Sequence, residues 1–289
     1  MRISYRKAFL VVLMCLPYVI SNAQAPILRF KTISSTENLT NSVLVFLKDA
    51  RGMMWFGTSN YGLLRFDGKK LVSFQAASLI DAKYITQICE DQDSTLWIST
   101  EKGIYHFNPM NFKREKYSYN DRNPYSLASN NHPYCFLDLS GNLWITYDGI
   151  LQKFDRERKA FVTQTLKSNL TPAQFKKEFK LGRSLVDTQG RIWLYSIHGL
   201  FLFDPKNKFT KFYPCTMARS VQCMVQENED DFFVSFWEKG LYKFNARTGD
   251  FKLFAFKDQT VRDLIIIKNM QGVKYLLSIH DKINFIDVK

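Results

Sequence analysis

Six times along the chain an acidic or amide residue is followed, six positions later, by a large aromatic: Asp49 and Trp55, Asp91 and Trp97, Asp138 and Trp144, Asp187 and Trp193, Glu227 and Phe233, Asn269 and Tyr275. Carboxylates could act as general acids or bases. Catalysis would engage one or two of them, whereas fastening a tight turn onto backbone amides accounts for the whole set, so they are read as structural. The chain has no GxSxG elbow, HExxH, phosphate-binding loop or dinucleotide fingerprint, and no enzymatic activity is expected. It also lacks CxxC, and His106, His132, His198 and His280 fall in different repeats, so neither metal nor cofactor is expected.

The elements that carry these pairs follow from the period. Successive aromatics are 42, 47, 49, 40 and 42 residues apart, the spacing of a repeat architecture. Each copy begins with an apolar run ending at the acid, such as Val43 to Leu47 or Tyr84 to Cys89, whose β-branched and aromatic content favours a strand. Three residues after the acid stands Gly52, Ser94, Gly141, Gly190, Asp230 or Gly272, where a hairpin needs a positive φ. The aromatic strand follows, then a second turn at Gly62, Gly103, Gly149, Gly199 or Gly240, a third strand and a fourth. Four antiparallel strands per repeat make one blade of a β-propeller, and the fold class is all-β with about six four-stranded blades. Within that fold the tryptophans are core residues between sheets.

The two ends have complementary defects. Residues 27–32 read as a fourth strand without the first three, and the last repeat supplies three strands, at Leu264 to Ile267, Tyr275 to Ser278 and Ile283 to Ile286, without a fourth. Pairing them would close a six-bladed ring and remove an exposed edge. The alternative is an incomplete part of a longer propeller array.

Residues 1–25 read as a cleaved signal peptide. Arg2, Arg6 and Lys7 precede the apolar run Ala8 to Leu16, and small residues follow at Ser21 to Ala25. Residues 26–289 are then the propeller, exported and periplasmic in a cell with an outer membrane. They keep 37 Lys and Arg against 27 Asp and Glu, about +10. Basic charge suits nucleic acid, an anionic membrane or an acidic ligand, and export disfavours nucleic acid; lysines and arginines scattered over solvated outer strands remain the plainer account. An oxidising compartment permits disulfides among the four remaining cysteines. Cys89, Cys135 and Cys223 fall in first strands as small hydrophobes, and nearness in sequence makes Cys215 and Cys223 the pair to test.

Two segments carry a family resemblance. Residues 120–130, NDRNPYSLASN, followed by 136–145, FLDLSGNLWI, resemble the two-component regulator propeller repeat, and so do residues 47–58, LKDARGMMWFGT. The resemblance covers the exported chain, and is weaker in the last two repeats, where Phe233 and Tyr275 replace Trp. It implies the periplasmic sensor region of a hybrid two-component system, binding an oligosaccharide breakdown product and signalling through a membrane helix to a histidine kinase. Family members resemble two propellers followed by a small β-sandwich, a membrane helix, and kinase and receiver domains. None of the later parts is in this sequence, so the expectation is a truncated sensor, or a propeller acting through a partner such as a second propeller or a membrane sensor kinase.

Geometry then suggests where a ligand would sit. If first strands line a central channel, the turns between second and third strands share one face with the connections from each fourth strand to the next blade. Those turns hold Asn60, Tyr61, Glu101, Lys102, Asp148, His198, Trp237, Glu238 and His280. Trp237 lies four residues past the core register, where it is either a sugar-stacking platform or a surface aromatic. On the same face, 119–134 is rich in Asn, Ser and Tyr, and 167–182 is an insertion that suits a short helix starting at Thr171-Pro172. Three readings follow: a ligand-sensing propeller, a scaffold that binds protein through a flat face, and a polysaccharide lyase or hydrolase.

Overall fold

The computed structural model describes residues 43–74, 79–147, 149–179, 182–215, 220–268, 274–279 and 283–288. By internal contacts the chain divides into Met1–Ser34 and Ser35–Lys289, and every described residue belongs to the second unit. The expected signal peptide and the expected closing strand at 27–32 lie outside the described residues.

Blade 1 comprises β1 (Val43–Lys48), β2 (Met54–Thr58), β3 (Leu63–Phe66) and β4 (Leu71–Ser73); blade 2 comprises β5 (Ile85–Glu90), β6 (Leu96–Thr100), β7 (Gly103–Phe107) and β8 (Arg114–Tyr117). Blade 3 is β9 (Tyr134–Leu137), β10 (Leu143–Tyr147), β11 (Ile150–Asp155) and β12 (Ala160–Thr163). The insertion follows as β13 (Lys167–Ser168) and helix α1 (Pro172–Glu178), before β14 (Ser184–Val186), β15 (Ile192–Tyr195), β16 (Gly199–Asp204) and β17 (Phe209–Pro214) of blade 4. Blade 5 is β18 (Val221–Gln226), β19 (Asp231–Phe236), β20 (Gly240–Asn245) and β21 (Phe251–Ala255), and β22 (Asp263–Lys268), β23 (Lys274–Ile279) and β24 (Ile283–Val288) form a last sheet. Chain neighbours within each blade pair antiparallel, while β13 adds a parallel fifth strand to the edge of blade 4.

The all-β propeller is as expected, but the count of about six four-stranded blades is corrected. Among the described residues five blades have a full set of four strands, and the last sheet has three. That sheet packs on blade 5, where Leu264 joins Cys223, Phe233, Leu241 and Val261 in one apolar cluster.

Burial follows strand order within a blade. All five residues of β6 are buried, because a second strand is covered by neighbouring blades on both faces, whereas β8 at the outer edge is largely exposed. Such packing leaves little room at Gly57, where an added Cβ would come within 2.6 Å of Ile85 and Val45 side-chain atoms.

The acid-to-aromatic spacing has a direct physical cause. The Trp55, Trp97, Trp144 and Trp193 indole N–H groups donate to Asp49, Asp91, Asp138 and Asp187 at 2.8–2.9 Å. Each carboxylate also accepts backbone N–H groups of its own turn, as Asp49 does from Arg51 and Met53. One side chain thus closes the turn and satisfies the indole N–H of a buried ring, which would otherwise lose its hydrogen bond to water. The expected positive φ occurs at Gly52 (85°), Ser94 (61°), Gly141 (76°) and Gly190 (78°). Asp230 does not adopt it: Glu227 and Asn228 N–H both donate to the Asp231 carbonyl, and Arg191 and Arg247 engage the Asp230 carboxylate instead. Phe233 has no N–H to offer, and Glu227 pairs with Lys243 Nζ at 2.7 Å. Gly272 and Asn269 lie outside the described residues, and only the backbone of Tyr275 is described, opposite Ile267.

Helix α1 forms as its first residues predict. Thr171 caps it, accepting from Gln174 N–H at 3.3 Å while Gln174 Oε1 accepts from Thr171 N–H at 3.1 Å, and Pro172 fills the first turn. Phe175 and Phe179 pack on Phe201 in a cluster that also contains Trp144 of blade 3. No disulfide joins the described cysteines, and the sulfurs that meet are those of Cys89 and Cys135, not the sequence neighbours Cys215 and Cys223.

Candidate functional site

First strands do line a central channel. Residues 44–46 of β1, Gln87 of β5, Tyr134 and Cys135 of β9, Ser184 and Leu185 of β14 and residues 222–224 of β18 surround a cavity of about 370 Å³. The first strands of blades 1, 2 and 5 shift register at Leu44, Thr86 and Gln222, and such bulges re-aim side chains. Leu44 and Gln222 thereby reach the channel, a placement that the apolar alternation of the sequence does not reveal.

A second cavity of about 330 Å³ shares Tyr134, Arg183 and Tyr195 with the first and forms its mouth. Its wall combines turns between second and third strands, at Tyr147, Ser196 and Ile197, with fourth-to-first connections, at Asn131, His132, Gly182 and Ser220. The two kinds of loop therefore share a face, as the repeat predicts. Hydrogen bonds tie them together: Trp237 N–H donates to the Ser220 carbonyl, Cys215 N–H to that of His198, and Glu238 N–H to Thr260 Oγ1. Thr146 Oγ1 donates to the Gly182 carbonyl at 2.8 Å, fixing the entry to β14 beside Arg183.

Of the nine turn residues singled out from the sequence, the seven described ones do not line the channel or its mouth. Glu101 accepts Lys83 and Tyr84 N–H groups at 2.9 and 3.0 Å, so its carboxylate closes a connection between blades. Lys102 pairs with Asp81 at 2.9 Å, and His198 Nδ1 lies 2.8 Å from Glu178 of α1. Asn60 is exposed and Tyr61 half-buried, with its N–H donated to Thr58. Trp237 is 43% exposed, off the core as its register predicts. Asp148 and His280 lie outside the described residues. His132 and Tyr134 fall in the candidate connection 119–134, whereas reasoning from the repeat passed over Arg183, Tyr147 and Tyr195. Their signal is that they flank the repeat positions instead of recurring in them.

Among the described residues one cluster combines three ligating side chains, Asp91, Asp93 and His106. Its lone pairs already have work. Asp91 accepts from Trp97 and is gripped by Arg156 at 2.8 and 2.9 Å, and Thr95 Oγ1 bridges Asp93 and His106. Burial pushes His106 down, which keeps the ring neutral where it stacks 4.1 Å from Trp97. The cluster is part of the blade 2 turn.

Residues 78–102 match the two component regulator propeller family. By sequence, no curated protein matches the chain. Among solved structures it is similar to one named as the extracellular domain of the hybrid two component system BT3049 from B. thetaiotaomicron, with TM-score 0.65 and 18% identity over 86% of this chain and 35% of that one. For the corresponding domain of BT4673 from the same organism the values are 0.63, 17%, 86% and 33%. Virginiamycin B lyase from Staphylococcus aureus gives 0.63 and 13%, covering 86% of this chain and 80% of the lyase. The chain thus spans about a third of the two sensor structures, and at these identities the likeness establishes the propeller fold.

Proposed function

We propose that this chain, which carries the two component regulator propeller repeat, is a non-enzymatic, extracytoplasmic ligand-sensing propeller that binds an oligosaccharide at its channel mouth. The observation that carries the reading is the mouth itself. Three tyrosines, an arginine, a histidine and small polar side chains converge on two joined cavities of about 370 and 330 Å³. Pockets of ~300–1,000 Å³ with a few convergent polar groups are typical of small-ligand sites, and tyrosine offers a sugar both an apolar face and a hydroxyl. The likeness to extracellular domains of two hybrid two component systems favours a signalling role, and no helix among the described residues is long and apolar enough to cross a membrane. Exposed Trp237 and the turn residues Asn60 and Tyr61 are proposed as outer contacts for a longer saccharide.

The test is calorimetry and thermal melting of the exported chain against neutral and acidic oligosaccharides. Binding without turnover, with a rise in melting temperature, is the expected result, since ligand that binds only the folded state stabilises it. New reducing ends or unsaturated products would instead favour the lyase or hydrolase reading, to which the S. aureus lyase lends a shared fold. Self-association with no saccharide effect would favour a protein-binding scaffold.

A further inference from the structure

Among the described residues, the channel and its mouth carry charge of one sign. Arg183 is exposed, lines both cavities, and makes no ion pair with a described carboxylate. Apart from Arg183 and the titratable ring of His132, the described side chains lining both cavities are uncharged. His132 lines the same mouth as Arg183, and its Nδ1 is buried without a hydrogen-bond partner. Its backbone is held at φ 53° with N–H donated to the Asn130 carbonyl, and its ring packs on Tyr84 at 4.7 Å, so the orientation is set without help from Nδ1.

We propose that Arg183 is the anion-recognising group of this site and that its ligand is an acidic oligosaccharide, whose carboxylate or sulfate pairs with the guanidinium. The inference rests on the sensor reading and narrows it. A guanidinium presents a planar fork that fits both anions, and Tyr134, Tyr147 and Tyr195 offer faces for the sugar rings. The net charge of about +10 on the exported chain, 37 Lys and Arg against 27 Asp and Glu, adds long-range attraction for such ligands.

Calorimetry with three disaccharides of one linkage tests this: α-1,4-galactobiose, its sulfated form, and α-1,4-digalacturonic acid. An acidic form should bind at least about tenfold more tightly than the neutral one, as a charge-assisted hydrogen bond implies, and the carboxylate and sulfate arms identify the anion. Arg183→Gln should abolish that preference without changing the melting temperature of the unliganded protein, and Arg183→Lys should restore part of it. Equal binding of neutral and acidic forms, or a preference that survives Arg183→Gln, overturns the inference and leaves the sensor reading standing. Binding of none of the three overturns both.

A separate observation concerns the wall between blades 2 and 3. Cys89 Sγ of β5 and Cys135 Sγ of β9 lie 3.3 Å apart, and Cys135 is buried in the channel wall. We infer that this pair forms a disulfide when the chain folds in an oxidising compartment, clasping the two blades. The two thiols lose two protons and two electrons as the S–S bond forms, and a small-molecule or oxidoreductase disulfide accepts them, becoming two thiols. The contact between them pushes the Cys89 thiol up and the Cys135 thiol down, and because Cys135 is buried away from an external disulfide, closure belongs to folding. Refolding with oxidised glutathione, followed by peptide mapping without reduction, should yield a Cys89–Cys135 linked peptide and a melting temperature about 5 °C or more above that of Cys135→Ser. Four alkylatable thiols, or a Cys215–Cys223 link, would overturn it.

Discussion

The turn between first and second strands and the channel mouth are built from similar residue types and treat them in opposite ways. In the turns of blades 1 to 4 each aspartate, buried in all but half-buried Asp138, meets an indole N–H and backbone N–H of its turn, and Arg51, Arg156 and Arg191 neutralise three of the four. At the mouth, Arg183 has no described carboxylate partner and His132 Nδ1 no described acceptor or donor. The contrast separates a polar group kept for the fold from one kept for something outside it. Repetition marks the first kind, because the same packing problem recurs in every blade.

Several substitutions would break or sharpen this contrast. Trp97 is fully buried against Phe154 and His106. Trp97→Ala should cost about 3–5 kcal/mol in urea unfolding, and a loss under about 2 kcal/mol would show that the pairing of acid and tryptophan is dispensable. Asp187→Asn keeps the shape of a buried carboxylate but weakens its pairing with Arg191 at 2.6 Å and with Trp193, at about 1–3 kcal/mol. Glu227→Gln, in the blade without a tryptophan, should cost less, about 1 kcal/mol or below, because Lys243 is more than a third exposed. Reversal of that order would mean that blade 5 relies on its acid as heavily as the others.

Acid provides an independent measure. Burial pushes Asp49 and Asp91 up, but hydrogen bonds from Trp55, Met53 and Arg51 in one case, and from Arg156, Trp97 and Gln92 in the other, outweigh it and leave both lowered. A lowered folded value means the unfolded chain binds protons first. The stabilisation is therefore present above about pH 4 and lost as pH falls through the folded values. Melting temperature should fall between pH 5 and pH 2, and Asp49→Asn with Asp91→Asn should flatten that slope. The smallest effect is expected at Trp237→Ala, within about 0.5 kcal/mol of wild type, since the ring is off the core. A reduced saccharide affinity with unchanged unfolding would place that ring on the ligand path.

Most of the fold was legible because it is periodic. Strand order, turn glycines, the role of the acids and the capped helix at Thr171 follow from short-range spacing. Blade 5 was less legible, since Asp230 occupies a glycine position without adopting its backbone and is held by two arginines from separate elements. The site was least legible. Glu101, Lys102 and His198 are engaged by Lys83 and Tyr84, Asp81, and Glu178, partners that a repeat alignment does not supply.

The sequence alone determined a repeated four-stranded unit, its core aromatics and the acid that holds each tryptophan, because these depend on side-chain alternation and on contacts six residues apart. Tertiary structure decided which residues face the channel, that Arg183 and His132 line one cavity, and that Cys89 meets Cys135. Those pairs are 51 and 46 residues apart and sit on different blades or connections. Only the curvature that brings first strands around one axis puts them in reach of each other.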